Sequence, residues 1–315
     1  MFTVTQKMET GFSKIILTDK KGKCSAEILP ECGALLNAFT ILNNDNTINI
    51  IEGYKNQDDF NENCEFKGFR SAKLSPFVCR LKNGTYFFKK NEYKVNGFYL
   101  DKHALHGLIY RKIFSIVKTK KLKNSAWVLL RYKYRADDNG YPFPFNCDLK
   151  YTLKKNNRLI ITTTISNKGK SKIPVSDGWH PYFTLGGCIN DLAMQMYVSG
   201  KLVFDNELLP TGKTESFKQF EKPTPIGETV FDNCFIVKKG AKTALQLTNV
   251  ENGITLKIKP HSAYPYLQIY TPPQRQSIAI ENLSSAPDAF NNKMGLVVLD
   301  KNKSKKFITE YIVNV

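Results

Sequence analysis

Apolar and polar residues alternate with a period of two through most of the chain, the mark of strands that bury one face. In "FNCDLKYTL" Phe145, Cys147, Leu149, Tyr151 and Leu153 alternate with polar neighbours. After the polar "KKNN" the pattern resumes in "RLIITTTISN", where Leu159, Ile161, Thr163 and Ile165 share a face. Two alternating runs joined by a short polar loop predict a hairpin. The same arrangement recurs in "TALQLTNVENGITLKIKP", with "VENG" as the turn. Further strands are predicted at "FSKIILTD", "CSAEILPE", "GTYFFKKNEYKVN" and "SAWVLLRYKYR", and in the alternation of Tyr264, Tyr266, Gln268 and Tyr270. Helical periodicity is nearly absent, and no internal repeat, Pro- or Ser-rich linker or low-complexity tract interrupts the chain. Many strands with regular turn signals predict an all-β protein, a large antiparallel β-sandwich or barrel. A single domain over residues 1–315 is expected.

Composition narrows the class. The chain is 42% hydrophobic and 12% aromatic, enough for a sizeable core and against bulk disorder. Seven cysteines, at positions 24, 32, 64, 79, 147, 188 and 234, are scattered without a C-x-x-C pair. That argues against a disulfide framework or a zinc ribbon and fits a reducing compartment. The first residues lack the apolar core of a signal peptide, and no apolar run approaches the roughly 20 residues of a membrane helix. The expectation is a soluble, cytoplasmic protein without a membrane partner. The net charge of +18 invites nucleic acid or another anionic partner. Yet the lysines are spread along alternating strands, as in "KTKKLKNSAWVLLRYKYR", which reads as a solvated outer face, and no nucleic-acid partner is expected.

Few residues can carry chemistry. The four histidines are His103, His106, His180 and His261, and no H-E-x-x-H, P-loop, G-x-S-x-G or dinucleotide fingerprint is present. His103 and His106 suggest a metal pair, but a third ligand in a matching motif is missing, and residues three apart on an extended chain face opposite ways. Gly107 would allow a tight turn or a close backbone approach. In "VSDGWHPYFTLGG", Pro181 stiffens the segment and pushes His180 towards an extended backbone. Among Trp179, Tyr182 and Phe183, His180 reads either as a poised proton donor or as a core histidine bonded to backbone. Arg80, Asp232 and Glu281 each sit in apolar flanks, where a charge must be paired or used. Arg80 paired with Asp232 as structure, and Glu281 turned to solvent, are the alternative readings. Together these groups supply an acid, a base, a cationic fork and a carboxylate acceptor. Such a set can bind a polyhydroxylated molecule and move its protons.

The ordered series "SPFVCRLKNGTY", "LHGLIYRKIF", "DGWHPYFTLGG", "VFDNCF", "LQIYTPP" and "IAIENLSSAPDAFNN" resembles the aldose 1-epimerase (mutarotase) family over about residues 20–300. The resemblance implies a galactose-mutarotase-like β-supersandwich and a cofactor-free enzyme, with no metal, that interconverts the anomers of an aldose. It implies Glu281 as the base that takes the C1 hydroxyl proton and His180 as the acid at the ring oxygen. His106 is implied as a second histidine at the same region, and Arg80 and Asp232 as hydroxyl-binding positions. Trp179, beside His180, is expected to contact substrate. Two departures stand out: Asn282 replaces the proline that commonly follows the glutamate and is expected to alter the local backbone, and Cys79 replaces an asparagine before Arg80. The family also includes hexose-6-phosphate epimerases, whose arginine-rich phosphate motifs are not evident here. A non-catalytic sugar-binding protein on the same fold is the other alternative.

Overall fold

The computed structural model describes all 315 residues and contains 29 strands, two short α-helices and two 3-10 turns. A nine-stranded and an eight-stranded antiparallel sheet form the body of the molecule, with a five-stranded sheet built from residues 2–49. Both predicted hairpins lie in the nine-stranded sheet. Phe145–Lys154 pairs with Arg158–Asn167, closing at Lys154 opposite Arg158, and every second side chain is buried. Leu245–Asn249 pairs with Thr255–Pro260 around the predicted turn. The C-terminal strand Ser304–Asn314 lies between these hairpins and pairs with one strand of each. The "GTYFFKKNEYKVN" run divides into Thr85–Phe88 and Asn91–Lys94, turning at Lys89 and Lys90, both with positive φ. The helices are confined to Gln57–Asn63 and Ala289–Asn292, and no helix is long and apolar enough to cross a membrane.

The inner faces of the two large sheets share a core of 62 buried residues. Leu149, Tyr151, Phe307 and Tyr311 enter it from the nine-stranded sheet; Trp179, Leu267, Ile269, Ile278 and Ile280 enter it from the other. The rings of Tyr151 and Trp179 meet edge to face with centroids 5.8 Å apart. The strand Ile278–Leu283 is buried on both faces. Its core face carries Ile278, Ile280 and Asn282; Glu281 therefore points to the opposite face, because successive strand residues alternate. Asn282 does not disturb the backbone as expected. The strand runs through it, pairing with Trp179 on one side and Leu267 on the other. Its side-chain oxygen accepts a 2.7 Å hydrogen bond from the Thr309 hydroxyl, which links the two sheets.

One ion pair is buried completely. Lys73, on the strand Ala72–Leu74, places its Nζ 2.6 Å from Asp177 Oδ1, and both side chains are 0% exposed. Lys73 also donates to the Gly178 carbonyl at 3.0 Å and lies 4.6 Å from the centroid of the Trp179 ring. The Tyr264 hydroxyl donates to Asp177 Oδ2 at 2.6 Å. Burial pushes the Asp177 carboxyl upward while Lys73 opposes that shift. Removing one partner of such a pair leaves an uncompensated buried charge, which costs about 3–5 kcal/mol. Asp177→Asn should therefore lower the denaturant midpoint by an amount corresponding to about 3 kcal/mol or more. A loss below about 1 kcal/mol would mean that the pair does not hold the sheet.

Candidate active site

Antiparallel register brings the chemistry together. Gly178–His180 pairs with Ile278–Leu283 so that Gly178 faces Leu283 and Trp179 faces Asn282. Continuing one step sets His180 across from Glu281, on the face turned away from the core. The His180 Nε2 lies 3.3 Å from Glu281 Oε1. On the next strand, Tyr266–Tyr270, Gln268 is the registered neighbour of Glu281; on the strand beyond, Asp232 is the neighbour of Tyr270. Gln268 Nε2 donates to Asp232 Oδ1 at 2.8 Å. Four adjacent strands thus present His180, Glu281, Gln268 and Asp232 to one cleft of about 310 Å³.

Loops close its other wall. His106 follows the short strand His103–Leu105 with a left-handed backbone (φ +59°), and Gly107 continues the turn at φ +80°. A Cβ on Gly107 would stand 2.2 Å from the Ser75 carbonyl oxygen, so only glycine permits this close approach. The turn sets the His106 ring edge to face with His180, centroids 4.9 Å apart, and against Phe69 at 4.5 Å. His180 in turn stacks on Tyr182 with ring planes 7° apart. Cys79, also left-handed at φ +48°, brings its Sγ to 3.8 Å from Glu281 Oε2. Arg80 and Asp232 line the same cleft but form no ion pair with each other, which leaves the guanidinium uncommitted.

Trp179 is the exception among the expected residues. It is 2% exposed, packed in the intersheet core against Tyr151 and Lys73, and it does not line the cleft. Strand alternation is the reason: the residue next to His180 must face the opposite way. His103 is likewise separated from His106. Its Nδ1 accepts from the Asn83 amide at 3.1 Å, and its Nε2 lies 3.6 Å from Glu207. His261 lies in another groove, beside Lys238, Lys239, Lys242 and Lys259. The sequence reasoning missed Glu65 and Phe69 as lining residues, and both come from the segment around the first helix, which carries no alternation. Gln268 and Tyr270 were visible as alternating positions, but their cleft-facing side needed the register.

Desolvation dominates the electrostatics. Burial pushes the Glu281 carboxyl well above its ordinary value, with Asp232 adding to the rise and the Cys79 thiol opposing it. Burial lowers His180 to about 4 and holds His106 well below its ordinary value. Burial also raises Asp232, against the pull of Arg80. A carboxylate pushed up is a stronger base, and an imidazolium pushed down is a stronger acid. Both shifts favour the uncharged forms, so the resting pair is neutral, with the proton on the carboxyl and the imidazole unprotonated.

The strand topology has solved counterparts. A galactose mutarotase-like protein from Clostridium acetobutylicum superposes with a TM-score of 0.87 at 18% identity, covering 99% of this chain and 98% of that one. Galactose 1-epimerase from Lactobacillus acidophilus NCFM gives 0.81 at 17% identity, covering 100% and 98%. The protein is thus a galactose mutarotase-like β-sandwich with an acid–base cleft on the outer face of one sheet. The family model for aldose 1-epimerase matches residues 14–312, and the chain belongs to that family of isomerases. Among characterised sequences it is similar to an aldose 1-epimerase of Streptococcus thermophilus, 28% identical over 56% of this chain and 59% of that protein. It is also similar to a maltose epimerase of Levilactobacillus brevis, 23% identical over 74% and 72%.

The lowered His180 value gives a direct spectroscopic expectation. At pH 6 a free histidine, near 6.5, is mostly protonated, whereas the His180 ring should be neutral and titrate only towards pH 4. Nitrogen-15 NMR, with the signal assigned through His180→Asn, reads this directly. Titration at or above 6.5 would show that the Glu281 charge outweighs burial.

Proposed function

We propose that this protein is an aldose 1-epimerase that interconverts the α and β anomers of a free monosaccharide such as galactose or glucose. The observation that carries the reading is the buried carboxylate–imidazole pair, 3.3 Å apart, facing a cleft of monosaccharide scale. Opening a pyranose ring requires the C1 hydroxyl to lose a proton while the ring oxygen gains one. Both oxygens are bonded to C1, so their base and acid must stand within a few ångströms of each other. The resting pair is neutral, so the carboxyl proton first passes across the 3.3 Å contact to His180 Nε2; Glu281 then takes the hydroxyl proton while His180 donates to the ring oxygen. Rotation about C1–C2 then presents the other carbonyl face, and the two groups reverse roles on closure. His106 borders the same point, and Arg80 and Asp232 hold hydroxyls around the ring. Positioned acid–base groups of this kind contribute about 10²–10⁴-fold each.

The lining favours a neutral sugar over a phosphosugar. Glu65, Asp232 and Glu281 supply three carboxyl groups against one guanidinium, Arg80, and no lysine lines the cleft. A phosphate bound there would find only the Arg80 guanidinium to pair with, since the Glu65 carboxylate is already held by Arg111. The same acid–base pair argues against a purely sugar-binding protein, which needs no buried proton-transfer couple. The shared intersheet core and the family match over nearly the whole length support one catalytic domain. The seven cysteines stand as free thiols, six of them buried, in keeping with a reducing cytoplasm.

Polarimetry of freshly dissolved α-galactose and α-glucose tests the reading. Wild-type protein should accelerate mutarotation, and Glu281→Gln or His180→Asn should lose at least ~10²-fold while remaining folded. Near-wild-type rates in either variant would defeat the assignment. The rate should follow a bell in pH, because the pair must hold one proton between its two members. It falls at low pH when both are protonated and no base remains, and at high pH when both are deprotonated and no acid remains. A flat profile from pH 4 to 10 would contradict paired transfer. Arg80→Ala and Asp232→Ala should each raise KM, since a charge-assisted hydrogen bond worth about 1.5–3 kcal/mol corresponds to roughly 10- to 150-fold. Unchanged KM in both would make them structural.

A further inference from the structure

His106, His180 and Glu281 also form a donor set for a transition metal. One ligand atom from each lies within 4.8 Å of the others, and all three side chains are buried. Tetrahedral zinc, with nitrogen and oxygen ligands at about 2.0–2.2 Å, needs donor atoms roughly 3.3 Å apart. His180 Nε2 and Glu281 Oε1 already have that separation, 3.3 Å. The frame is fixed: His180 and Glu281 face each other on paired strands, and His106 is held by its turn against Phe69. Both histidines also have a buried Nδ1 without a hydrogen-bond partner, so rotation of either ring breaks no bond at that atom. The Cys79 Sγ, 3.8 Å from the second oxygen of Glu281, adds a soft donor at the margin.

We propose that the cleft binds one zinc ion through His106, His180 and Glu281, and that the bound ion inhibits the enzyme rather than assisting it. Three protein donors leave the fourth tetrahedral position open to the cleft, where the sugar enters. Imidazoles and a nearby thiol select zinc over magnesium or calcium, which prefer all-oxygen shells. The ion takes the His180 lone pair and the Glu281 carboxylate, the two groups that proton transfer needs. The site stands on geometry alone; only the inhibition rests on the acid–base function proposed above.

Calorimetric titration of untagged protein with zinc chloride, in a non-coordinating buffer, tests the site. One equivalent should bind, millimolar magnesium chloride should not displace it, and His106→Asn and Glu281→Gln should each weaken binding at least tenfold. His103→Asn and His261→Asn should leave it unchanged. X-ray absorption at the zinc edge of the wild-type complex should show two imidazoles, a readout that needs no variant to fold. Mutarotation should stop at one equivalent and return on adding EDTA. Absence of stoichiometric binding, a shell without two imidazoles, or loss of binding in His103→Asn instead of His106→Asn would overturn the site. Stoichiometric binding with full mutarotation would overturn the inhibition. If zinc binds as described but no aldose is mutarotated, the metal site stands and the enzymatic reading falls. If mutarotation is present and zinc does not bind, only the metal site falls.

Discussion

The antiparallel register between Gly178–His180 and Ile278–Leu283 sets everything the cleft can do. Because side chains alternate along each strand, one register choice places His180 opposite Glu281 on the outer face and Trp179 opposite Asn282 on the inner one. A slip of one residue would exchange the faces, burying both ionisable groups in the core and exposing the indole. Several contacts hold the register. Lys73 bridges Asp177 and the Gly178 carbonyl, Tyr264 secures the other oxygen of Asp177, and Asn282 is tied through Thr309 to the opposite sheet. The buried ion pair is costly to desolvate, so its value lies less in net stability than in fixing which strand residue faces which side.

The same burial that makes the core makes the chemistry. Glu281 lies in a strand buried on both faces, and His180 is sealed by Tyr182 and the His106 ring. Water cannot solvate their charges well, so the carboxyl becomes more basic and the imidazolium more acidic. At rest a neutral pair is the cheaper state. In the proposed reaction a hemiacetal supplies the hydrogen bonds that stabilise the charged arrangement at the moment of transfer. On that proposal no separate device reverses the roles for the opposite anomer, since the two groups share one proton. The large positive charge of the chain plays no part in this cleft, whose lining carries a single cation.

The fold was legible because period-two alternation is a local signal. The hairpins Phe145–Asn167 and Leu245–Pro260 could be read from spacing and turn residues, and the motif order pointed to the family. The site was legible where a charged residue interrupted an apolar run, as with Arg80, Asp232 and Glu281. It failed where the answer depended on facing. Trp179 adjoins His180 in sequence and so reads as a wall for a sugar, yet adjacency on a strand means opposition. Asn282 was expected to disturb the backbone. Unlike proline, it keeps its N–H, so the strand continues and the side chain becomes a sheet-to-sheet tie. Glu65 and Phe69 enter from an irregular segment, and Cys79 reaches Glu281 through a left-handed backbone that no alternation rule anticipates.

The central claim is that Glu281 and His180 divide the two proton transfers on one hemiacetal. A crystal structure with bound galactose tests it most directly, in the Glu281→Gln variant if turnover blurs the anomer. The account predicts the C1 oxygen within hydrogen-bond distance of residue 281 and the ring oxygen facing His180 Nε2, with Arg80 and Asp232 on the remaining hydroxyls. A sugar bound with C1 directed away from both groups, or seated in a different groove, would contradict it.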